Sequence, residues 1–166
     1  MKSHYRAVVI GGGVVGASTL YHLAKMGWND VVLVEKIEYT SGSTWHAAGL
    51  LPLFNMSYSV GKIHKYSVDL YQSLEEETGQ HVSFHKTGNL RLARNQERMD
   101  EYKRYCGTAS TIGVPFEMIG PAEIKKLWPF AKVDDLVGAL FHPDDGHVAP
   151  VDVTMALLKG ARANGA

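Results

Sequence analysis

An apolar run that breaks into glycine restricts this chain more than any other feature: residues 7–16 read AVVIGGGVVG. Ala7, Val8, Val9 and Ile10 have the look of a strand buried on both faces. Gly11, Gly13 and Gly16 then fit G-x-G-x-x-G, and an apolar helical pattern follows through Ala17, Leu20, Tyr21 and Ala24 to a stop at Gly27. Each glycine has a physical task. Gly11 permits the tight turn out of the strand, Gly13 lacks a Cβ so that a pyrophosphate can approach the backbone, and Gly16 lets the helix pack on the strand. The N–H groups at the helix start point at the anion, and the helix dipole adds roughly 0.3–1 kcal/mol. A second strand, Val31 to Val34, ends at Glu35, nineteen residues after Gly16. An acid there can accept the ribose hydroxyls of an adenosine. Strand, glycines, helix, second strand and acid together predict a parallel βαβ unit that binds a dinucleotide.

The totals exclude several classes. With 45% hydrophobic and 20% charged residues over 166 positions, the chain has the composition of a globular domain with a real core. Net charge is zero, so there is no electrostatic footprint for nucleic acid or an anionic membrane. No apolar run approaches the roughly 18–20 residues of a membrane span. The start, MKSHYRAVVIGGG, enters the first strand directly and leaves no room for a signal or transit peptide, so the expectation is cytoplasmic. The single cysteine, Cys106, rules out an internal disulfide.

Beyond Glu35, residues 36–50 are rich in Ser, Thr and Gly, with Ser41, Ser43 and Thr44 as candidate N-caps and His46 as the one titratable ring. Residues 58–78 read as a helix with Ile63, Tyr66, Leu70 and Leu74 on its buried face and Lys62, Lys65, Asp69, Gln72 and Glu76 opposite. Val82–Phe84 and the alternating NLRLA after Gly88 read as a hairpin across HKTG. A helix from Gln96 to Ile112 is expected to bury Met99, Tyr102, Cys106 and Ala109, which makes Cys106 a core residue rather than a nucleophile. Phe116–Ile119 is a strand, Pro121 opens a short helix closed by Trp128-Pro129, and Gly138–His142 is a further strand. Asp144, Asp145 and Gly146 form a turn, and Pro150 starts a last helix with Val153, Ala156, Leu157 and Ala161 on one face and its end at Gly165. A βαβ plan calls for a strand after that helix, and the sequence holds none.

With these residues in place, the chain resembles the N-terminal part of the dimethylglycine dehydrogenase/sarcosine dehydrogenase family, flavin enzymes of the D-amino-acid-oxidase superfamily. The segments that carry the resemblance are GGGVVGASTLYHLAK, TSGSTWHAAGL, LEEETGQ, RMDEYKR and PDDGHVAP. The resemblance implies an α/β fold: an incomplete Rossmann-like FAD-binding domain and the start of an α+β substrate domain built on an antiparallel sheet. Residues 1–79 would be the FAD-binding half, 80–142 the start of the substrate domain and 143–166 the return to the FAD domain. It also implies FAD carried covalently on His46, through the 8α carbon of the flavin ring. FAD would lie against Gly11, Gly13, Val14, Val15, Gly16, Glu35, Lys36, Ser43, Thr44, His46, Ala48, Gly49 and Leu50. The implied reaction is oxidative demethylation of a small N-methyl amino acid, dimethylglycine or sarcosine, by hydride transfer to the flavin. The one-carbon product would leave as formaldehyde or, in the full-length protein only, pass to tetrahydrofolate.

Family members continue well past the end of this chain, so the expectation is a fragment or one piece of a split enzyme. The catalytic base and the electron acceptor are not assigned. An arginine often clamps the substrate carboxylate in the superfamily, but the quoted motifs do not give that role to Arg91. His142 and His147 flank Asp144 and Asp145 with a spacing that matches no familiar zinc pattern, and no metal site is expected. Three other readings stay open. They are an oxidase that forms peroxide, a non-catalytic regulatory relative of the same fold, and an NAD-dependent dehydrogenase, which leaves STWHAAG unexplained.

Overall fold

The computed structural model describes residues 2–166. Its elements run β1 (Ala7–Ile10), α1 (Val14–Lys25), β2 (Val31–Val34), a 3-10 turn (Thr44–His46), β3 (Leu50–Leu51), α2 (Tyr58–Thr78), β4 (His85–Lys86) and β5 (Asn89–Ala93). They continue with α3 (Gln96–Ile112), β6 (Glu117–Ile119), α4 (Pro121–Leu127), β7 (Gly138–His142), β8 (Gly146–His147) and α5 (Pro150–Ala163). The chain folds as two compact units. One holds residues up to Leu50, Leu70–Phe84 and Val148–Ala166; the other holds Leu51–Asp69 and His85–His147.

In the first unit β1 pairs β2 in parallel, with Ala7 opposite Val31 and Ile10 opposite Val34, as the βαβ pattern requires. Ala17, Leu20, Tyr21 and Ala24 of α1 are all buried, as are Val153, Ala156, Leu157 and Ala161 of α5. The two helices approach closely where α5 carries Gly160: a Cβ there would lie 2.8 Å from the Tyr21 ring. The Tyr21 hydroxyl donates to Glu77 Oε1 at 2.6 Å, and Lys25 Nζ donates to the Tyr21 oxygen at 2.8 Å and to Glu77 Oε2 at 3.0 Å. Burial raises the Tyr21 pKa, and the Glu77 carboxylate raises it further.

β1 departs from the sequence expectation. Val8 and Ile10 are 53% and 85% exposed and Ala7 and Val9 half-buried, so the strand is covered on one face, not two. Its sheet has two strands among the described residues, and only the face under α1 is covered.

In the second unit β5 and β6 flank β7, both antiparallel to it, with Asn89 opposite His142 and Glu117 opposite Phe141. Ile124 of α4, Ala131 and Ala139 form a small core on this sheet, closed by Leu90, Leu92 and Ile119. The hairpin expected across HKTG is absent. β4 pairs instead with β8, His85 opposite His147 and Lys86 opposite Gly146. Gly88 breaks away with φ +70, and its N–H donates to the Asp145 carbonyl at 2.8 Å. Val82–Phe84 forms no strand because Ser83 takes a left-handed φ of 52°.

α2 follows its expected bounds but not its expected face. Leu70 and Leu74 are buried, yet Ile63 and Tyr66 are exposed, and Gly61 and Val68 take the inner positions. The helix serves two cores, its residues to Asp69 in one unit and from Leu70 in the other, so no single stripe runs its length. Gly61 is required because a Cβ would meet Ile112 Cδ1 at 2.5 Å. α3 buries Tyr102, Tyr105 and Ala109, while Met99 and Cys106 are half-buried. Gly113 ends it in the left-handed region at φ 80°. Its N-cap, Asn95, accepts the Arg98 N–H at 2.9 Å. Asn95→Ala is expected to cost about 1 kcal/mol, read as a fall of roughly 2–4 °C in Tm.

Candidate functional site

The glycine turn and Glu35 are locked together. Gly11 takes φ 110° and donates its N–H to the Val34 carbonyl at 2.9 Å. The Gly12 N–H donates to Glu35 Oε2 at 2.6 Å. Glu35 Oε1 accepts the N–H groups of Lys36 (2.7 Å) and Ile37 (3.1 Å). These bonds, Gly12 first, hold the Glu35 carboxyl below the usual carboxylate range. A carboxylate has about four acceptor directions. Three are filled by backbone, and the one left, on Oε2, is open to a ribose hydroxyl. A Cβ on Gly16 would lie 1.9 Å from the Gly11 carbonyl oxygen, so the close helix–strand packing read from the sequence is present.

Thr44 does not cap its own turn, and neither does Ser43, whose side chain makes no cap bond. The Thr44 hydroxyl instead accepts the N–H of Val14, the first residue of α1, at 3.0 Å. The chain after Glu35 thus forms a 3-10 turn rather than a second helix with its own N-terminal donors. With Gly12 and Val14 satisfied, the N–H groups of Gly13, Val15 and Gly16 have no protein acceptor among the described residues. That is a ready anion site at a helix start. A cleft of about 490 Å³ lined by Ile10, Gly11, Val34, Glu35 and Lys36 opens beside it.

The 3-10 turn presents His46 to solvent. Its Nδ1 lies 3.2 Å from the Gly42 carbonyl oxygen. A carbonyl only accepts, so Nδ1 carries a proton, and in the neutral ring Nε2 then holds the lone pair. The Trp45 ring stacks on the imidazole, with centroids 3.8 Å apart and planes 33° apart. Past the turn, Gly49 takes φ 74° and its carbonyl accepts the Val148 N–H at 2.9 Å. A Cβ on Gly49 would strike the Val148 carbonyl oxygen at 2.0 Å, so only glycine fits. Ala48, Leu50 and Val15 are exposed.

The second unit holds a buried polar network. The Asp145 Oδ1 accepts the Leu53 N–H at 2.9 Å, and the Tyr105 hydroxyl donates to the Leu53 carbonyl at 3.2 Å. His142 Nε2 lies 3.1 Å from the Tyr105 oxygen. Tyr105 has one proton and spends it on Leu53, so the imidazole donates: His142 is neutral with its proton on Nε2. Burial pushes the His142 pKa down to about 4, the Asp145 pKa up to about 6 and the Tyr105 pKa up to about 12. Arg91 lays its guanidinium over the Phe54 ring, 4.2 Å from the centroid. Arg91 Nε, His142 Nδ1 and Asp145 Oδ2 are buried without a partner.

The histidines and aspartates around the PDDG turn go to separate partners. His142 bonds Tyr105, His147 stacks on His85, Asp144 pairs with Lys86, and Asp145 holds Leu53. Gly11, Gly12, Gly13, Val14, Glu35 and Thr44 are brought together directly. Sequence reasoning missed Tyr39, which would be struck at 2.6 Å by a Cβ on Gly12, and Thr40, whose φ of 66° lets its N–H reach the Gly12 carbonyl at 3.0 Å. A β-branched residue with positive φ is a strained position, and nothing in the residue type announces it.

The family model DAO, described as FAD dependent oxidoreductase, matches residues 6–166. Rat "Dimethylglycine dehydrogenase, mitochondrial" is 48% identical over 164 residues, covering 99% of this chain and 19% of the relative. Human "Sarcosine dehydrogenase, mitochondrial" is 42% identical over 167 residues, 100% of this chain and 18% of the relative. The mouse "Pyruvate dehydrogenase phosphatase regulatory subunit, mitochondrial" is 41% identical over 165 residues, 99% of this chain and 19% of the relative. Among solved structures, L-proline dehydrogenase from P. horikoshii superposes with a TM-score of 0.90 at 32% identity, over 99% of this chain and 43% of that one. The chain thus spans about a fifth of the length of these three curated relatives.

Proposed function

The chain belongs to the DAO family of FAD dependent oxidoreductases, and from that premise we propose that it is the FAD-holding part of an enzyme that demethylates a small N-methyl amino acid, dimethylglycine or sarcosine. The residues fit the cofactor. The unpartnered N–H groups of Gly13, Val15 and Gly16 suit a pyrophosphate, and the open direction on Glu35 Oε2 suits one ribose hydroxyl. Bound FAD supplies a two-electron acceptor for a C–H bond beside an amine nitrogen.

The observation that carries the reading is the His46 turn. An imidazole held by its Nδ1–H on the Gly42 carbonyl would, in its neutral form, present the Nε2 lone pair to solvent, as the atom able to bond the 8α carbon of the flavin while that carbon's C–H electron pair passes into the flavin ring and its proton to water. Wild-type protein incubated with FAD and denatured in acid is expected to keep flavin on the polypeptide by mass and fluorescence, and His46→Ala to release all of it. Flavin retained by His46→Ala places the link elsewhere.

The 41% identity to a regulatory subunit favours a second reading, a non-catalytic relative. Bleaching of the flavin absorbance on adding dimethylglycine or sarcosine separates the two, since a regulatory relative leaves the flavin oxidised. Peroxide released in turnover would make the enzyme an oxidase rather than a dehydrogenase.

A further inference from the structure

We propose that Trp45 is a positioning residue for His46: its indole, with the Gly42 carbonyl, holds the imidazole in the Nδ1–H tautomer with Nε2 outward. Neighbouring side chains in a 3-10 turn project about 120° apart and do not ordinarily face each other. Here residues 45 and 46 stack, centroids 3.8 Å apart. Burial does not explain the placement, because Trp45 is 58% exposed and serves no core. Its observed ring contact is the imidazole.

The orientation of His46 rests on two contacts, the Gly42 hydrogen bond at 3.2 Å and the Trp45 face. An exposed imidazole without a stacked neighbour changes rotamer in picoseconds to nanoseconds. Rotation about its inner torsion takes the ring off the indole and Nδ1 off the carbonyl, and the proton then moves to Nε2, the position a free histidine side chain prefers. That ring has no lone pair on the outward nitrogen. The indole closes off the swing. An aromatic pair of this kind shifts such an equilibrium by roughly two- to tenfold. The consequence for flavin loading rests on the attachment reading above; the tautomer does not.

The test compares wild type, Trp45→Ala and Trp45→Phe in the full chain. Long-range proton–nitrogen NMR of the imidazole, without FAD, reads which nitrogen carries the proton. Acid-quenched mass spectrometry then times covalent loading at saturating FAD. Wild type and Trp45→Phe are expected to show the Nδ1–H form and to load alike. Trp45→Ala is expected to move toward Nε2–H and to load roughly two- to tenfold more slowly. A Trp45→Ala protein that keeps the Nδ1–H form overturns the proposal, whether or not flavin loads. Wild type that shows Nδ1–H but never retains flavin removes the attachment reading, while the shift in Trp45→Ala still supports the positioning role.

Discussion

Gly16→Ala is expected to cost the protein its hold on FAD. The new Cβ would sit 1.9 Å from the Gly11 carbonyl oxygen, which is backbone and has no rotamer to escape into. Either α1 lifts from β1 or the Gly11 turn deforms, and both moves spoil the array of N–H groups at Gly13, Val15 and Gly16. Overpacking of this kind costs about 1–3 kcal/mol of stability. FAD affinity, followed by quenching of flavin fluorescence, is expected to fall by more than about tenfold. Gly107→Ala is the matched control. It lies exposed inside α3, a Cβ there meets nothing within 4 Å, and alanine restores helix propensity, so stability is expected to rise by about 0.5–1 kcal/mol with FAD binding unchanged.

Asp145→Asn and His142→Gln are expected to tilt the pH dependence of stability in opposite directions. Burial is the main influence on both groups. It raises Asp145 from 3.8 to about 6, against the Leu53 N–H and the Arg91 guanidinium and with a small push from Asp144. It lowers His142 from 6.5 to about 4, with Arg91 acting in the same sense. Between about pH 4 and 6 the folded chain holds a proton on Asp145 and none on His142; the unfolded chain does the reverse. The proton counts are equal, so in wild type the two contributions cancel. In Asp145→Asn only His142 remains. The unfolded state then binds one proton more, and stability falls as pH falls through this window by about 1.4 kcal/mol per unit. In His142→Gln only Asp145 remains, the folded state binds one proton more, and stability falls as pH rises by a similar slope. Urea melts at pH 4.5, 5.2 and 6.0, read as differences from wild type, check both signs. Parallel slopes in the two variants would show that the groups do not titrate as their burial requires.

The βαβ start was legible because its signals are local. Glycines 11, 13 and 16, the apolar stripe of α1 and the acid after β2 each act within a turn or so of their own position. The misreadings came where one segment answers to distant partners. β1 reads as doubly buried from its own four residues, but burial of its outer face depends on what is packed there. The stripe on α2 is broken because two cores share the helix. The pairing of His85–Lys86 with Gly146–His147, rather than across HKTG, depends on a strand some sixty residues on. The network around Leu53 was invisible for the same reason: its bonds join positions 92, 52 and 37 residues apart. In the 3-10 turn the motif pointed to His46. It did not show that Thr44 serves α1, nor that a backbone carbonyl decides which imidazole nitrogen is free.

The bond from the Val148 N–H to the Gly49 carbonyl has a consequence for biosynthesis. Gly49 follows His46 by three positions, yet its partner is made ninety-nine residues later. A ribosome adding about 5–20 residues per second needs roughly 5–20 s to travel that far. Throughout that interval the nascent STWHAAG segment lacks the backbone contact that fixes its C-terminal end. Any flavin capture that needs this finished geometry therefore waits until Val148 has been made and its segment has docked.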